Sequence, residues 1–226
     1  MYENKYKNQS LTSSEDLDNF LNLIAALNES LELFAIGGTA MVLKNIKEST
    51  KDIDFLTTEK YEKIQRMFNL YLILMIRSFI CSELANKTIL KTMIQLTELS
   101  IAGLKEEADN KICNIWRLNE LRIDIFYDGF IMGIPFPEDW KKFSEKIKSI
   151  GKIDLYILNW YDLIITKISR SEKRDIDDIL AIIKSQKLNF NFLKKRYYSI
   201  AETSLISDFD YKFKHLEGEY DKRKTH

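Results

Sequence analysis

Three carboxylates stand where their apolar neighbours would force them to one side of a sheet. In Asp52-Ile53-Asp54-Phe55-Leu56 polar and apolar residues alternate. That is the period of a strand, so Asp52 and Asp54 leave one face while Ile53 and Phe55 enter the core. Asp124, in Leu121-Arg122-Ile123-Asp124-Ile125-Phe126, has the same flanks. If its strand lies beside the first, three like charges meet and raise one another's pKa unless cations neutralise them. Mg2+ is the natural cation, being hard, oxygen-seeking and able to keep positions open for water and phosphates, with Mn2+ as its substitute. Two ions are expected, because a pair can hold the attacking and leaving oxygens of a phosphoryl displacement. Histidine offers little alternative: His215 and His226 both lie in the tail, which leaves a Ser-His-Asp triad without material.

A glycine pair adds a second chemical element. Leu33-Phe34-Ala35-Ile36 reads as a strand that stops at Gly37-Gly38, and Thr39-Ala40-Met41-Val42-Leu43 reads as a helix. Glycine there lets the backbone approach a phosphate, and Thr39 adds a hydroxyl donor. With 13 residues between Gly38 and Asp52, turn and aspartates in this order say more than either alone. Farther on, Lys167, Arg170 and Arg174 fall at i, i+3 and i+7, one side of a continuous helix. They read equally as a triphosphate clamp or as a surface helix paired with Glu172, Asp175, Asp177 and Asp178.

Together these residues resemble the nucleotidyltransferase superfamily related to DNA polymerase β. Its pattern is an apolar residue, Gly, Gly or Ser, a spacer like the one found here, Asp-apolar-Asp-apolar, and a third Asp on a later strand. Ile36-Gly37-Gly38, Asp52-Ile53-Asp54-Phe55 and Asp124 stand in those places. Asp128 is the alternative third ligand if a bulge changes the register. Thr39-Ala40 and Thr50 are similar to small prokaryotic members, and Lys167 with Arg174-Asp175-Ile176-Asp177-Asp178 resembles the later part of AbiEii-type toxins. The resemblance implies an α+β fold: a polymerase-β-like mixed sheet with helices, followed by a mostly helical C-terminal part. It implies Asp52, Asp54 and Asp124 as catalytic metal ligands, and Gly37, Gly38, Thr39, Thr50, Lys167 and Arg170 as nucleotide-binding. The implied reaction moves NMP from an NTP to RNA (tRNA being one form) or to a protein, releasing pyrophosphate, with a cognate antitoxin as a further partner. Two rivals are an inactive binding protein or antitoxin partner on the same fold, and kinase-like transfer of the γ-phosphate.

The elements that must position these groups are legible in outline. Ser13 or Ser14 caps an opening helix with Leu17, Phe20, Leu21, Ile24 and Leu31 at helical spacing. Helical pattern is expected from the second strand to about residue 108, its apolar stretch Met67–Leu84 forming a buried helix. A hairpin follows, Ile112–Leu118 and Leu121–Tyr127 around Asn119-Glu120. After Pro135 and Pro137 a basic helix is expected to carry Trp140, Phe143 and Ile147, then a strand Ile153–Leu158. Asn159 caps a helix Trp160–Ser169, and helices at 173–185, 190–201 and 205–216 lead to a frayed end at Asp221–Lys224. The expected division is 1–154, catalytic, and 155–226, helical.

Composition bounds the rest. The 226 residues are 45% hydrophobic with two Pro, ordinary globular values. Basic and acidic residues balance at 34 each, so no global field announces a polyanion or membrane partner. Residues 1–139 are net −6 and 140–226 net +6; on that asymmetry an RNA acceptor would lie along the second half, on Lys141, Lys142, Lys146 and Lys148 and on Lys194-Lys195-Arg196 beside Tyr197-Tyr198. Cys81 and Cys113 make neither a disulfide framework nor a zinc spacing. Without a signal-peptide pattern or a span of about 20 apolar residues, a cytoplasmic protein with no membrane partner is expected.

Overall fold

The sheet is built from inside outwards, its most apolar strands at the centre. In the computed structural model residues 11–25, 29–67, 104–110, 113–118, 121–131 and 134–224 are described. The order along the chain is α1 (Ser14–Ala25), β1 (Leu31–Ala35), α2 (Gly37–Leu43), β2 (Ile53–Leu56), a helical segment at 61–67, β3 (Leu104–Asn110), β4 (Cys113–Leu118), β5 (Leu121–Phe126), β6 (Glu145–Ile150) and β7 (Ile153–Ile157). Four helices follow: α3 (Trp160–Arg170), α4 (Lys173–Ser185), α5 (Phe190–Ala201) and α6 (Phe209–Lys224). The seven strands lie in the order β3-β4-β5-β2-β1-β7-β6. Pairs β1–β7 and β2–β5 are parallel, the other four antiparallel. This is the α+β architecture expected, a mixed sheet followed by helices.

Buried β1 contributes Leu31, Leu33, Phe34 and Ala35, a nearly continuous apolar run suited to a strand covered on both faces. Edge strand β6 is Glu-Lys-Ile-Lys-Ser-Ile, with a register shift between Lys146 and Lys148; charge and irregularity protect such an edge from pairing further. At the start of α1, Ser13 Oγ accepts from the Asp16 N–H (3.2 Å), and Asp16 accepts from the Ser13 N–H (2.8 Å), a reciprocal cap. The Asn159 side chain caps α3 by accepting from the Tyr161 N–H. Tyr197 and Phe213, both fully buried, pack α5 on α6 with ring centroids 5.0 Å apart.

Several expectations are corrected. Leu31 belongs to β1, because α1 stops at Ala25. The expected basic helix is a run of turns over 138–144 followed by strand β6: Gly151, at φ +57°, turns the chain so that Ile150 pairs with Ile153, and this pairing outweighs local helical preference. Residues 104–110 form β3 rather than helix. The Met67–Leu84 expectation lies, beyond Met67, outside the described residues, as do Asn119 and Glu120. Gly37 and Gly38 form the first turn of α2 itself. Helix α6 starts at Phe209 and stays regular to Lys224, its last turn tied by Arg223–Asp177 and Lys222–Glu219 pairs. The 154/155 division falls inside β7, whose residues pair with β1 throughout.

Candidate active site

Parallel pairing of β2 with β5 sets Ile53 opposite Ile123, Asp54 opposite Asp124 and Phe55 opposite Ile125. Apolar pairs hold the two strands in the core, and the same register brings the two carboxylates level. Asp52 immediately precedes β2. Asp128 is exposed and in a turn beyond β5, at φ +54°, so Asp124 is the third carboxylate that the sheet places beside Asp54.

The start of α2 is stitched to these strands. Thr39 Oγ1 accepts from the Asp54 N–H (2.8 Å) and donates to the Asp52 carbonyl (3.4 Å), while the Ile36 N–H donates to the Asp54 carbonyl (3.1 Å). Gly37 has φ +54°, and a Cβ there would stand 2.6 Å from Asp54 Oδ2; a Cβ on Gly38 would collide with Thr50 Oγ1. Both positions need glycine because the turn lies directly against the site. Thr50 is anchored in turn by backbone hydrogen bonds to Thr12 (2.7 and 3.0 Å).

The electrostatics are those of crowded anions. Burial, then the charges of Asp124 and Asp52, push the Asp54 carboxyl up to about 8, against the pull of Arg170 and Lys167. Burial also raises Asp52, opposed first by Arg122, with Asp124 adding to the rise and Arg174 opposing it. Asp52 Oδ1 is buried without a hydrogen-bond partner, an arrangement that costs about 1–3 kcal/mol. Arg122 grips Asp124 with both arms, Nε to Oδ1 and Nη2 to Oδ2, each at 2.8 Å. Among the described residues no three Asp, Glu, His or Cys side chains are gathered closely enough to hold a metal ion as they stand. The donor set still suits a hard cation: all-oxygen ligands, one buried oxygen unpartnered and one carboxyl held up by its neighbours.

Lys167 and Arg170 are brought to the same region, where both are engaged by aspartates of α4. Lys167 is 3% exposed and reaches Asp178 (2.7 Å) and Asp175 (3.4 Å). Arg170 makes two contacts to Asp175 (3.0 and 2.6 Å), which also closes a reciprocal cap with Glu172 at the start of α4. Burial would raise Asp175, but Arg170 and Lys167 more than offset it and hold the carboxyl low. The pairing expected for a surface helix is therefore real but largely buried. Lys47, from the loop carrying Thr50 and Asp52, joins the network through Asp178 (2.5 Å).

Arg122 and Lys47 were not singled out by sequence pattern. For Arg122 a signal existed, since residues i and i+2 of a strand share a face; for Lys47 none did. The C-terminal basic cluster is a correction. Arg196 is buried between Asp162 (2.6 and 2.8 Å) and Asp139 (3.0 Å), Tyr197 is core, and Lys194 pairs with Glu217. Lys141 and Lys148 pair with Glu32 and Asp18 of the acidic half. Several of these cations are thus held in ion pairs within the molecule. No helix among the described residues is long and apolar enough to cross a membrane.

A family model described as "Nucleotidyltransferase of unknown function (DUF6036)" matches residues 14–226. No curated protein is similar to the chain. JHP933 from Helicobacter pylori is similar in structure at 13% identity and TM-score 0.39, over 95% of this chain and 97% of that one. A second H. pylori protein, described provisionally as a nucleotidyltransferase, is similar at 13% identity and TM-score 0.35, over 95% and 100%. At these scores neither likeness decides fold or function.

Proposed function

The chain belongs to the DUF6036 nucleotidyltransferases of unknown function, and from that premise we propose that it transfers NMP from an NTP to a hydroxyl acceptor and releases pyrophosphate. The observation that carries this reading is Asp54 level with Asp124 on adjacent parallel strands, beside Asp52 with its unpartnered buried oxygen. Asp52, Asp54 and Asp124 would hold Mg2+, or Mn2+, which when bound supplies positive charge for the phosphates and for an acceptor hydroxyl. Thr39, bonded to the backbone of both Asp52 and Asp54, sets the height of the carboxylates. Gly37 and Gly38 keep side chains out of the space beside Asp54 and Thr50, where a phosphate would approach. Lys167 and Arg170 act on Asp54 through charge, while their contacts to Asp175 and Asp178 tie α3 to α4. The acceptor in this reading is an RNA or a protein, and a cognate antitoxin would be a partner that blocks its access.

One feature of the site favours a second reading, a binding protein on a nucleotidyltransferase fold: Arg122 already neutralises Asp124. The experiment is incubation of the protein with each α-labelled NTP, Mg2+ and total cellular RNA. Label on RNA or protein, with pyrophosphate released and both lost in Asp54→Asn, supports transfer. Absence of label and pyrophosphate with all four NTPs favours the binding protein, and a nucleoside diphosphate product would mean γ-phosphate transfer.

A further inference from the structure

Arg122 and Asp124 share a face of β5, two residues apart, and the guanidinium takes both carboxylate oxygens at 2.8 Å. The pair is mostly buried, with side chains 18% and 12% exposed. Arg122 charge also acts on Asp52, so one residue partly neutralises two of the three carboxylates. A planar guanidinium forks onto carboxylate and phosphate with equal ease. We propose that Arg122 is an exchangeable counter-ion, holding Asp124 until a metal ion claims that carboxylate and then turning its fork to a phosphate of the nucleotide.

This rests on the metal-dependent reading above and adds a linkage to it. Metal competes with Arg122 for Asp124, and nucleotide takes up the arginine that metal displaces, so each ligand favours the other. Arg122 is then a positioning residue for the metal and a ligand for the nucleotide.

The test measures Mn2+ binding to the purified protein by electron paramagnetic resonance, with and without a non-hydrolysable NTP. In Arg122→Gln, Mn2+ alone should bind about tenfold tighter or more, because a charge-assisted competitor has gone. The strengthening of Mn2+ binding by nucleotide should shrink at least severalfold. A variant that was merely misfolded would lose affinity instead of gaining it. Arg122→Lys keeps the charge without the fork; it should show an intermediate gain and serves where the glutamine variant does not fold. Mn2+ affinity unchanged or weaker in a folded variant overturns the exchange, and does so without touching the metal site if Asp54→Asn abolishes Mn2+ binding. Equal Mn2+ binding by wild type and Asp54→Asn would instead overturn the functional reading, and the exchange with it.

Discussion

Two clusters of aspartate, one on β2 and β5 and one at the start of α4, are opposites in charge balance. Near the start of β2, Asp54 is crowded by Asp52 and by Asp124 of β5, and its carboxyl rises to about 8. At the start of α4, Asp175 is fully buried but faces Arg170 and Lys167, and its carboxyl is held low. Desolvation pushes both carboxyls up; the partner decides the sign. A buried carboxylate matched by protein cations ties two helices together, whereas one crowded by like charges costs the fold stability, the cost that a bound cation would relieve in the function proposed above.

The sharpest way to break this contrast is to neutralise one member of each cluster. Asp54→Asn should lower transfer activity by about a thousandfold or more, the scale of losing a key electrostatic contact in a transition state, while stability stays level or rises. Pyrophosphate release and a urea melt measure the two; loss of a cooperative transition would make Asp54 structural and end the contrast. Asp175→Asn should do the reverse to stability, costing about 3 kcal/mol because buried Lys167 and the Arg170 fork lose their counter-charge. A shift of the urea midpoint indistinguishable from that of Asp54→Asn would show that pairing is not what separates the clusters.

The pH dependence sharpens the same difference. An unfolded Asp titrates near ~3.9, far below the folded value of about 8 for Asp54. Between those values the folded state keeps a proton that the unfolded chain has released. Stability therefore falls as pH rises through that window, by at most about 1.4 kcal/mol per pH unit for one proton, and levels off above it. Asp54→Asn should flatten this part of the stability–pH curve. Asp175, held low, contributes stability that is present above its unfolded value and lost as pH falls through its folded one; Asp175→Asn should remove that acid-side loss. Urea midpoints measured from acid to mildly alkaline pH would show both, and an unchanged curve in either variant counts against the charge assignment. The smallest effect belongs to Lys47, which is 37% exposed where it meets Asp178. Lys47→Ala should cost under about 1 kcal/mol, as exposed ion pairs do, and a melting shift as large as that of Asp175→Asn would mean the loop before β2 depends on the network far more than its exposure implies.

Local pattern was enough for much of the site. Alternation placed Asp54 and Asp124 on strands, and Asp52 just ahead of one, with apolar neighbours turned inwards, and the glycines next to Thr39 marked a turn that the structure presses against Asp54 and Thr50. The caps at Ser13 and Asn159 were readable for the same reason: a capping side chain bonds to backbone a few residues away. The edge strand β6 was not readable, because its lysine-rich segment becomes a strand only by pairing with β7. Nor was the fate of the cations. Lys167 could have faced solvent or phosphate, and Arg196 a nucleic acid, until folding brought Asp178 and Asp162 within reach.

What the sequence determined by itself, then, was which residues can do the chemistry and which side of their own element they occupy, since strand and helix periods follow from backbone geometry alone. Tertiary structure alone decided that β2 and β5 are neighbours in the register that levels Asp54 with Asp124, that Arg122 stands guard over Asp124, and that Asp175 is matched where Asp54 is not. Each of these depends on which distant groups share a desolvated volume, and there a charge is worth what its partners make it.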